Sequence, residues 1–250
     1  MERFIVYGCI LGSIGHLIYF GLLGILIGPW YVIYLIAGLF TKEPKYIFQL
    51  GASYCYELFF FLTPKIVLKR DLKDKIPENV IFISTHQSIL DFPALSTFIR
   101  KYLFFANVNL GKFPLIAYIC DISGVSYISG KGIDNMSKIY DEFEQELLDG
   151  KNIIFFPEGT RHVDCRLKPF KRGAFRLSKK TNKPIVPIVV EGAYKLLPRK
   201  AFCFRTTKST NIYVKMLDTI YPEDFESDKE MMLYAQKIMQ QEKDRLCDIS

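Results

Sequence analysis

Charged side chains are absent from a long segment near the N-terminus. No Asp, Glu, Lys or Arg lies between Phe4 and Phe40, a span of 37 residues. A single helix of that length would reach roughly 55 Å, well beyond the ~30 Å hydrocarbon core of a bilayer. Gly28-Pro29 lies within this segment, and proline in a helix interior removes a backbone hydrogen bond and clashes with the preceding turn. The pattern therefore predicts two helices, either as a hairpin dipping into the bilayer or as one span followed by an interfacial segment.

A second apolar segment covers residues 48–62 and ends at Thr63-Pro64. Its length suits an interfacial or core-facing helix better than a membrane span. The polar residues 69–79 then predict an exposed connector. We therefore expect membrane-anchoring helices over 1–64 and a catalytic domain over 65–250.

Short apolar runs alternate with helical patterns in the rest of the chain. Apolar residues recur at three- and four-residue spacing over 136–148, closed by Gly150, and again over 231–246, and both patterns predict amphipathic helices. Alternation of strands and helices predicts one α/β domain with functional residues at the ends of strands. The runs predicted to be buried strands are 80–84, 102–106, 125–129, 152–156, 185–190 and 211–216.

Composition adds membrane contact and a local cationic region to this picture. Half of the residues are hydrophobic, and the net charge is +7. Nine Lys or Arg but one Asp lie between Arg161 and Lys183, so the remaining chain is close to neutral. A basic segment of this kind favours an anionic substrate, a lipid headgroup surface or nucleic acid. The six cysteines are scattered without a close pair, and we expect free thiols in a reducing compartment.

A histidine follows the predicted strand 80–84, and a carboxylate lies five residues further on. His86 and Asp91 would lie about 140° apart on one regular helix, so His86 is expected to precede the helix and turn back towards it. Asp91 would then fix the tautomer of His86 and stabilise the imidazolium that forms when His86 accepts a proton. Ser88 lies where a helix N-cap or a substrate contact is expected.

Two further motifs follow the predicted strand 152–156. In Pro157-Glu158-Gly159-Thr160-Arg161 the turn gives backbone N–H groups close access to a ligand, and Thr160 and Arg161 add a hydroxyl and a guanidinium group. This combination suits a phosphate, although a surface turn with a solvated arginine has the same pattern. Residues 168–173, with Lys171 among them, continue the basic segment.

The motifs together, in this order, resemble the glycerolipid acyltransferase family. The resemblance spans roughly residues 80–190 and is carried by His86-Gln87-Ser88-Ile89-Leu90-Asp91, Phe156-Pro157-Glu158-Gly159-Thr160-Arg161, Phe170-Lys171-Arg172-Gly173 and Pro184-Ile185-Val186-Pro187-Ile188. It implies a single acyltransferase domain with a mixed sheet flanked by helices. The implied reaction moves a fatty acyl group from acyl-CoA or acyl carrier protein to the free hydroxyl of a lysophospholipid, such as 1-acylglycerol-3-phosphate.

The resemblance also assigns roles to residues. His86 would be the general base and Asp91 the group that orients it, with direct attack and no acyl-enzyme, in keeping with the lack of a Gly-x-Ser-x-Gly motif. The acceptor site would be shaped by Glu158, Gly159, Thr160 and Arg161, with Arg161 on the phosphate. The family implies no cofactor beyond the thioester substrate, membrane lipids as partners, and an active site on the cytoplasmic face of a membrane.

The chain departs from the family pattern at positions that usually bind the acceptor phosphate. A lysine position falls on Asn107 and an arginine position on Gly130. Lys112 or Lys131 would have to replace them in substrate binding. A lysophospholipid other than 1-acylglycerol-3-phosphate is therefore a second candidate acceptor.

Other classes of function fit the sequence less well. The Gly-Lys pairs lack the upstream glycine and following Ser or Thr of a P-loop, and the three histidines have no zinc-ligand spacing. The basic segment suits nucleic acid, but the apolar N-terminus argues against that partner. A non-catalytic membrane lipid-binding protein on the same fold is the alternative outside enzymes.

Overall fold

Helices and parallel strands alternate along the chain, as the apolar pattern predicts. The computed structural model describes residues 25, 28–30, 32–41, 44–63, 66–88, 90–107, 125–128, 133–161, 164–196 and 210–249. The strands are β1 (Ile66–Asp71), β2 (Ile81–Ser84), β3 (Tyr102–Asn107), β4 (Val125–Ile128), β5 (Asn152–Phe155), β6 (Ile185–Glu191) and β7 (Thr210–Met216). The helices are α1 (Pro44–Leu62), α2 (Asp91–Ser96), α3 (Ile133–Leu148), α4 (Gly173–Thr181), α5 (Ala193–Leu196) and α6 (Asp228–Ile249), with a 3₁₀ turn at Pro222–Asp224.

The strands form one mixed sheet of seven in the order β1-β7-β6-β2-β5-β3-β4. The strands from β6 to β4 in this order are mutually parallel, whereas β7 is antiparallel to β6 and β1 is parallel to β7. The central strands β2, β5 and β6 are buried along their whole length. This arrangement confirms the predicted α/β domain with a mixed sheet flanked by helices.

Successive residues of the central strands supply two separate cores, because side chains alternate between the faces of a sheet. Ile81 and Ile83 face one core, which α3, α4 and α6 cover, while Phe82 faces a second core covered by α1, α2 and α5. The α6 helix is anchored in the first core by apolar side chains one or two turns apart, at Met231, Ala235, Met239 and Leu246. Both faces of the central sheet are thus dry, and the polar groups of the strands reach solvent only at their ends.

Helix α4 packs closely on α3 at its first residue. A Cβ at Gly173 would lie 1.8 Å from the hydroxyl oxygen of Tyr140, so only glycine fits there. Burial raises the pKa of Tyr140, and the nearby positive charge of Arg176 opposes that shift. The close approach fixes where the chain enters α4 after the basic motif at 168–173.

The predicted strands and the two amphipathic helices are confirmed, with ends shifted by one to three residues. The connector predicted at 69–79 is wrong in its first part, because residues 69–71 belong to the edge strand β1. That strand pairs in parallel with β7, and its outward side chains are exposed, which is why its sequence is polar. Helix α4 was not predicted, because its lysines and arginines obscure its apolar stripe of Ala174, Phe175 and Leu177.

The N-terminal region is described in part. Residues 28–30 and 32–39 are helical, and the chain turns at Phe40 and Thr41 before α1. The predicted break at Gly28-Pro29 stays a prediction, because residues 26 and 27 before it lie outside the described residues. The predicted apolar helix at 48–62 is confirmed within α1. Tyr34 stacks on Tyr54 of α1 with ring centroids 6.5 Å apart, so the two helices contact each other. No helix within the described ranges has the length and apolar character needed to cross a membrane. The predicted membrane segment before residue 25 lies outside the described residues.

Candidate functional site

Two loops meet at the carboxyl ends of two central strands. Strands β2 and β5 are parallel neighbours in register, with Ile83 opposite Phe155. The residues that follow them, His86 and Glu158, therefore emerge side by side at the carboxyl ends of the strands, where α/β folds place their sites. The backbone N–H of His86 donates a hydrogen bond to Glu158 Oε1 at 3.2 Å.

Asp91 is the centre of the turn that follows β2. Its Oδ2 accepts hydrogen bonds from His86 Nδ1 at 2.9 Å, from the backbone N–H of Gln87 at 2.6 Å and from that of Ser88 at 2.8 Å. Asp91 is fully buried and is the first residue of α2, whose N-terminus favours a negative charge. A carboxylate accepts only, so Nδ1 of His86 carries a proton, and in the neutral form of the imidazole Nε2 is then the nitrogen with the lone pair. The predicted turn of His86 back towards the helix is confirmed.

The imidazole of His86 is held from a second side by an aromatic ring. Phe156 stacks on it with ring centroids 4.2 Å apart and an interplanar angle of 22°. The side chain of His86 is 22% exposed while Asp91 is not exposed at all, so a substrate can reach the histidine but not the aspartate. The structure thus brings together the two side chains that the sequence analysis paired, while their roles as general base and orienting carboxylate stay predictions.

Glu158 joins the two loops rather than facing solvent. Its side chain is buried, and its second oxygen, Oε2, accepts the backbone N–H of Lys168 at 3.0 Å. One carboxylate thus ties the turn of His86 to the basic loop that follows β5. The contact with substrate predicted for Glu158 stays a prediction.

Ser88 does not cap the helix. The N-cap of α2 is Leu90, without a side-chain hydrogen bond, and Ser88 Oγ accepts the backbone N–H of Leu90 at 3.3 Å. The N-cap prediction is wrong because α2 begins at Asp91, so the bond from Leu90 to Ser88 Oγ closes the turn before the helix and does not cap the helix itself. Ser88 is fully buried, and its substrate contact remains untested.

The turn after β5 gathers positive charge. Gly159 has a φ of +70°, a left-handed conformation that glycine adopts at little cost, and its missing side chain leaves room for the ammonium group of Lys171. Lys168 Nζ donates to Thr160 Oγ1 at 2.9 Å. Arg161 is half-buried, and within the described part of the chain it forms no ion pair. The turn therefore offers cations and a hydroxyl next to the histidine, as a phosphate site requires.

Several other basic residues between Arg161 and Lys183 form ion pairs or hydrogen bonds within the fold. Arg172 donates to both carboxylate oxygens of Asp228, which raises the pKa of Arg172 and holds the pKa of Asp228 below its ordinary value. Lys180 pairs with Glu144, and this hydrogen bond raises the pKa of Lys180. Lys179 donates to the carbonyl oxygens of Pro222 and Phe225. Part of the positive charge of residues 161–183 is therefore used in packing between helices.

Helix α6 supports the loop after β5 along its length. Gln240 accepts the backbone N–H of Leu167 at 2.7 Å and donates to the carbonyl of Cys165 at 2.9 Å. Cys165 forms a disulfide with Cys247, 82 residues away in sequence. The expectation of free thiols is therefore wrong for this pair, since the fold brings distant cysteines together. Cys55 is a free thiol, and the other three cysteines lie outside the described residues.

Several predicted binding residues cannot be placed. Lys112, Lys131 and Gly130 lie outside the described residues, and Asn107 is described only by its backbone at the end of β3. Over the described ranges, no group of three or more His, Cys, Asp or Glu side chains converges as metal ligands would.

The structure adds three residues to the site that the motifs did not single out. Gln87, Glu191 and Lys243 form a buried polar chain beside the turn of His86. Gln87 and Glu191 lie at the ends of predicted strands, where polar residues signal function. The signal for Lys243 is its spacing, because it continues the four-residue series of Met231, Ala235 and Met239 and so falls on the buried stripe of α6.

Comparison with known proteins is consistent with this geometry. A family model described as Acyltransferase matches residues 68–191. The chloroplastic 1-acyl-sn-glycerol-3-phosphate acyltransferase of Brassica napus is 35% identical over 120 residues, covering 47% of this chain and 34% of that protein. A putative 1-acyl-sn-glycerol-3-phosphate acyltransferase of Caenorhabditis elegans is 31% identical over 187 residues, covering 70% of this chain and 66% of that protein.

A solved structure has the same fold. The crystal structure of the 1-acyl-sn-glycerophosphate (LPA) acyltransferase from Thermotoga maritima superposes with a TM-score of 0.70 at 19% identity, covering 89% of this chain and 95% of that one. The match to the Brassica protein, by contrast, spans about a third of the length of that relative.

Proposed function

Because residues 68–191 place the chain in the Acyltransferase family, we propose that it transfers a fatty acyl group from a thioester to the free hydroxyl of 1-acyl-sn-glycerol-3-phosphate. The product would be phosphatidic acid, and the donor acyl-CoA or acyl carrier protein. The observation that carries the proposal is the partly exposed His86, held by Asp91 on one side and lying beside the cationic turn after β5, whose cations are Arg161, Lys168 and Lys171.

His86 supplies the proton transfer. Its Nε2 accepts the proton of the acceptor hydroxyl as the oxygen attacks the thioester carbonyl, and Asp91 stabilises the imidazolium through Nδ1–H. The C–S bond then breaks as the ester forms, and the imidazolium returns its proton to the leaving thiolate. No acyl-enzyme is needed, because the hydroxyl attacks the thioester directly.

The cationic turn supplies the position of the acceptor. Arg161 and Lys171 form no ion pair within the described residues, so each is available to a phosphate oxygen, and a guanidinium group binds two such oxygens at once. General-base catalysis contributes about 10²–10⁴-fold, so positioning both substrates must supply the rest.

The N-terminal helices suit a membrane surface. Trp30, Ile33, Leu39, Phe40 and Phe61 are each more than half exposed. Large apolar side chains concentrated in one region mark contact with a protein or a membrane, and the substrates here are lipids. We propose the cytoplasmic face of a membrane for the catalytic domain on the family resemblance alone, since a disulfide such as Cys165–Cys247 is rare in the cytosol.

The test is an acceptor panel with purified protein in detergent. Lysophosphatidic acid and other lysophospholipids are each offered with acyl-CoA and with acyl carrier protein, while thiol release and the acylated product are followed by absorbance and mass spectrometry. We expect product with lysophosphatidic acid and a loss of at least about 100-fold in His86→Ala and Asp91→Asn. Asp218→Asn makes the same chemical change at a fully exposed carboxylate and is expected to keep full activity.

The outcomes separate the candidates. Acylation of another lysophospholipid in preference to lysophosphatidic acid would keep the reaction and change the acceptor. Normal turnover in both folded variants would remove His86 and Asp91 from the mechanism. Lysolipid binding without product, unchanged by His86→Ala, would make the chain a lipid-binding protein.

A further inference from the structure

A buried ion pair lies beside the turn that carries His86. Lys243 Nζ of α6 lies 2.8 Å from Glu191 Oε2 at the end of β6, and their side chains are 0% and 1% exposed. Taking two charges out of water is costly, and well-packed apolar residues often serve stability equally well. An ion pair that only stabilises the fold does not need to be buried so deeply. The other hydrogen bonds of Lys243 and Glu191 therefore indicate which groups the pair holds in place.

Gln87 connects the ion pair to the catalytic turn. Its Nε2 donates to Glu191 Oε2 at 2.8 Å, so this oxygen accepts from both Gln87 and Lys243. The backbone N–H of the same Gln87 donates to Asp91 Oδ2, which also accepts from His86 Nδ1. The residue next to His86 is therefore held by Asp91 at its backbone and by Glu191 at its side chain.

Neighbouring contacts fix the strand end that supplies Glu191. Thr85 Oγ1 accepts the backbone N–H of Val190 at 2.8 Å and donates to the carbonyl of Val190 at 2.9 Å. A Cβ at Gly192 would lie 2.2 Å from the carbonyl oxygen of Asn211, so β7 restrains the chain directly after Glu191. The end of β6, which carries Glu191, is therefore fixed relative to the turn of His86.

Three buried oxygens in this hydrogen-bond network accept no hydrogen bond. Among the described residues, Gln87 Oε1, Asp91 Oδ1 and Glu191 Oε1 are buried without a hydrogen bond. An unmatched buried acceptor is unfavourable, and a fold that retains such groups does so most often at a functional site. The fold keeps the hydrogen bonds that the neighbouring oxygens accept, although this leaves these three oxygens without a partner.

We propose that Gln87, Glu191 and Lys243 are positioning residues that hold the turn of His86 in register with Asp91, so that the C-terminal helix α6 is part of the catalytic apparatus. The proposal rests on the proposed function for its kinetic readout. Lys243 fixes the carboxylate of Glu191, Glu191 orients Gln87, and Gln87 fixes the turn in which Asp91 receives the imidazole. None of the three is expected to contact substrate, because all are fully buried.

The first variant is Gln87→Leu, which removes the amide at similar volume and leaves the Lys243–Glu191 pair intact. We expect kcat to fall about 10- to 100-fold, with KM for donor and acceptor unchanged within about twofold, because a displaced base costs rate without costing binding. A second readout needs no activity: in ¹⁵N-histidine NMR, the Nδ1–H signal of His86, assigned by its loss in His86→Ala, is expected to broaden and exchange faster.

The second comparison tests the ion pair. Lys243→Met leaves Glu191 buried without its cation and is expected to lower both Tm and kcat. Adding Glu191→Gln removes the stranded charge while its amide oxygen still accepts from Gln87, so the double variant is expected to recover Tm and most of kcat. Arg245→Met, which removes an exposed ion pair with Glu242 on the same helix, is the matched control and is expected to change neither.

The two hypotheses fail in different ways. An unchanged kcat and an unchanged His86 signal in Gln87→Leu would overturn the positioning role even if the wild type is an active acyltransferase. A Lys243→Met variant with a lower Tm but an unchanged kcat would also overturn the positioning role of the ion pair. A wild type without acyl transfer, but with a His86 signal perturbed in Gln87→Leu, would overturn the proposed function and keep the positioning role.

Discussion

Gly159 and Lys171 share one space at the turn after β5. A Cβ built at position 159 would lie 2.6 Å from Lys171 Nζ and 2.7 Å from Lys171 Cε. The backbone N–H of Lys171 also donates to the carbonyl of Pro157 at 2.8 Å, so the basic loop is fixed to this turn. The lack of a side chain at 159 is therefore what lets an ammonium group lie beside the turn that carries Arg161.

Gly159→Ala is expected to displace the ammonium group and weaken acceptor binding. A non-glycine residue in the left-handed region costs about 1–2 kcal/mol, and the shifted lysine adds a loss in binding. We expect KM for lysophosphatidic acid to rise at least about fivefold, measured by initial rates over a range of acceptor concentration.

The matched control is Gly150→Ala. Gly150 has a similar φ of +84° but nothing within 4 Å of its missing Cβ. It is expected to lose comparable stability and keep KM. An equal change of KM in both variants would show that backbone strain, and not Lys171, is responsible.

Arg161→Ala is expected to raise KM for anionic lysolipids about 10-fold or more with little change in kcat, because a charged hydrogen bond to phosphate contributes about 1.5–3 kcal/mol. Arg166→Ala, at an exposed arginine of the same loop, is the control and should leave KM unchanged. An unaltered KM in Arg161→Ala would remove Arg161 from the acceptor site.

Cys165 and Cys247 tie the loop after β5 to the end of α6. Opening a disulfide that closes a loop of this length is expected to cost about 2–4 kcal/mol. Cys165→Ser/Cys247→Ser should therefore lower Tm by about 5–15 °C, and reductant should lower the Tm of the wild type but not of the double variant. Cys55→Ser is the control for thiol loss alone. Two alkylatable thiols at 165 and 247 in the unreduced protein would contradict the pairing.

The Arg172–Asp228 pair predicts a specific dependence of stability on pH. The hydrogen bond from Arg172 lowers the pKa of Asp228 from its ordinary value of 3.8, so the carboxylate is better stabilised in the folded state than in the unfolded one. That contribution is complete above the unfolded pKa and is lost as the pH falls through the lower folded value. The Tm of the wild type should exceed that of Asp228→Asn at pH 5–7, and the difference should shrink below about pH 4. A constant difference down to about pH 2 would show that charge is not its cause.

Local patterns were sufficient for strands β2 to β7 and for the amphipathic helices α3 and α6. Each central strand is a short run of apolar residues, since both of its faces are buried, and α3 repeats its apolar residues with the helical period. The edge strand β1 was missed because one of its sides faces solvent, and its charged residues have the composition of a loop. The motif residues His86, Asp91 and Arg161 were likewise visible from spacing and residue type.

Contacts between distant segments were decided by the tertiary structure alone. The sequence contains both ends of the Cys165–Cys247 disulfide and of the Lys243–Glu191 pair, but nothing in either segment specifies its partner. These pairings arise because α6 packs its apolar stripe on the sheet, which buries Lys243 against the end of β6.

The sequence by itself determined an α/β acyltransferase domain with His86 and Asp91 at the end of a buried strand, because periodicity and motif spacing are local properties of the chain. Only the tertiary structure decided that Glu158 joins two loops, that Arg172, Arg176 and Lys180 of the basic segment pair with carboxylates of other helices, and that α6 reaches the turn of His86 through Glu191 and Gln87. The physical reason is that burial and charge compensation depend on which surfaces meet, and that is set by the packing of the whole domain.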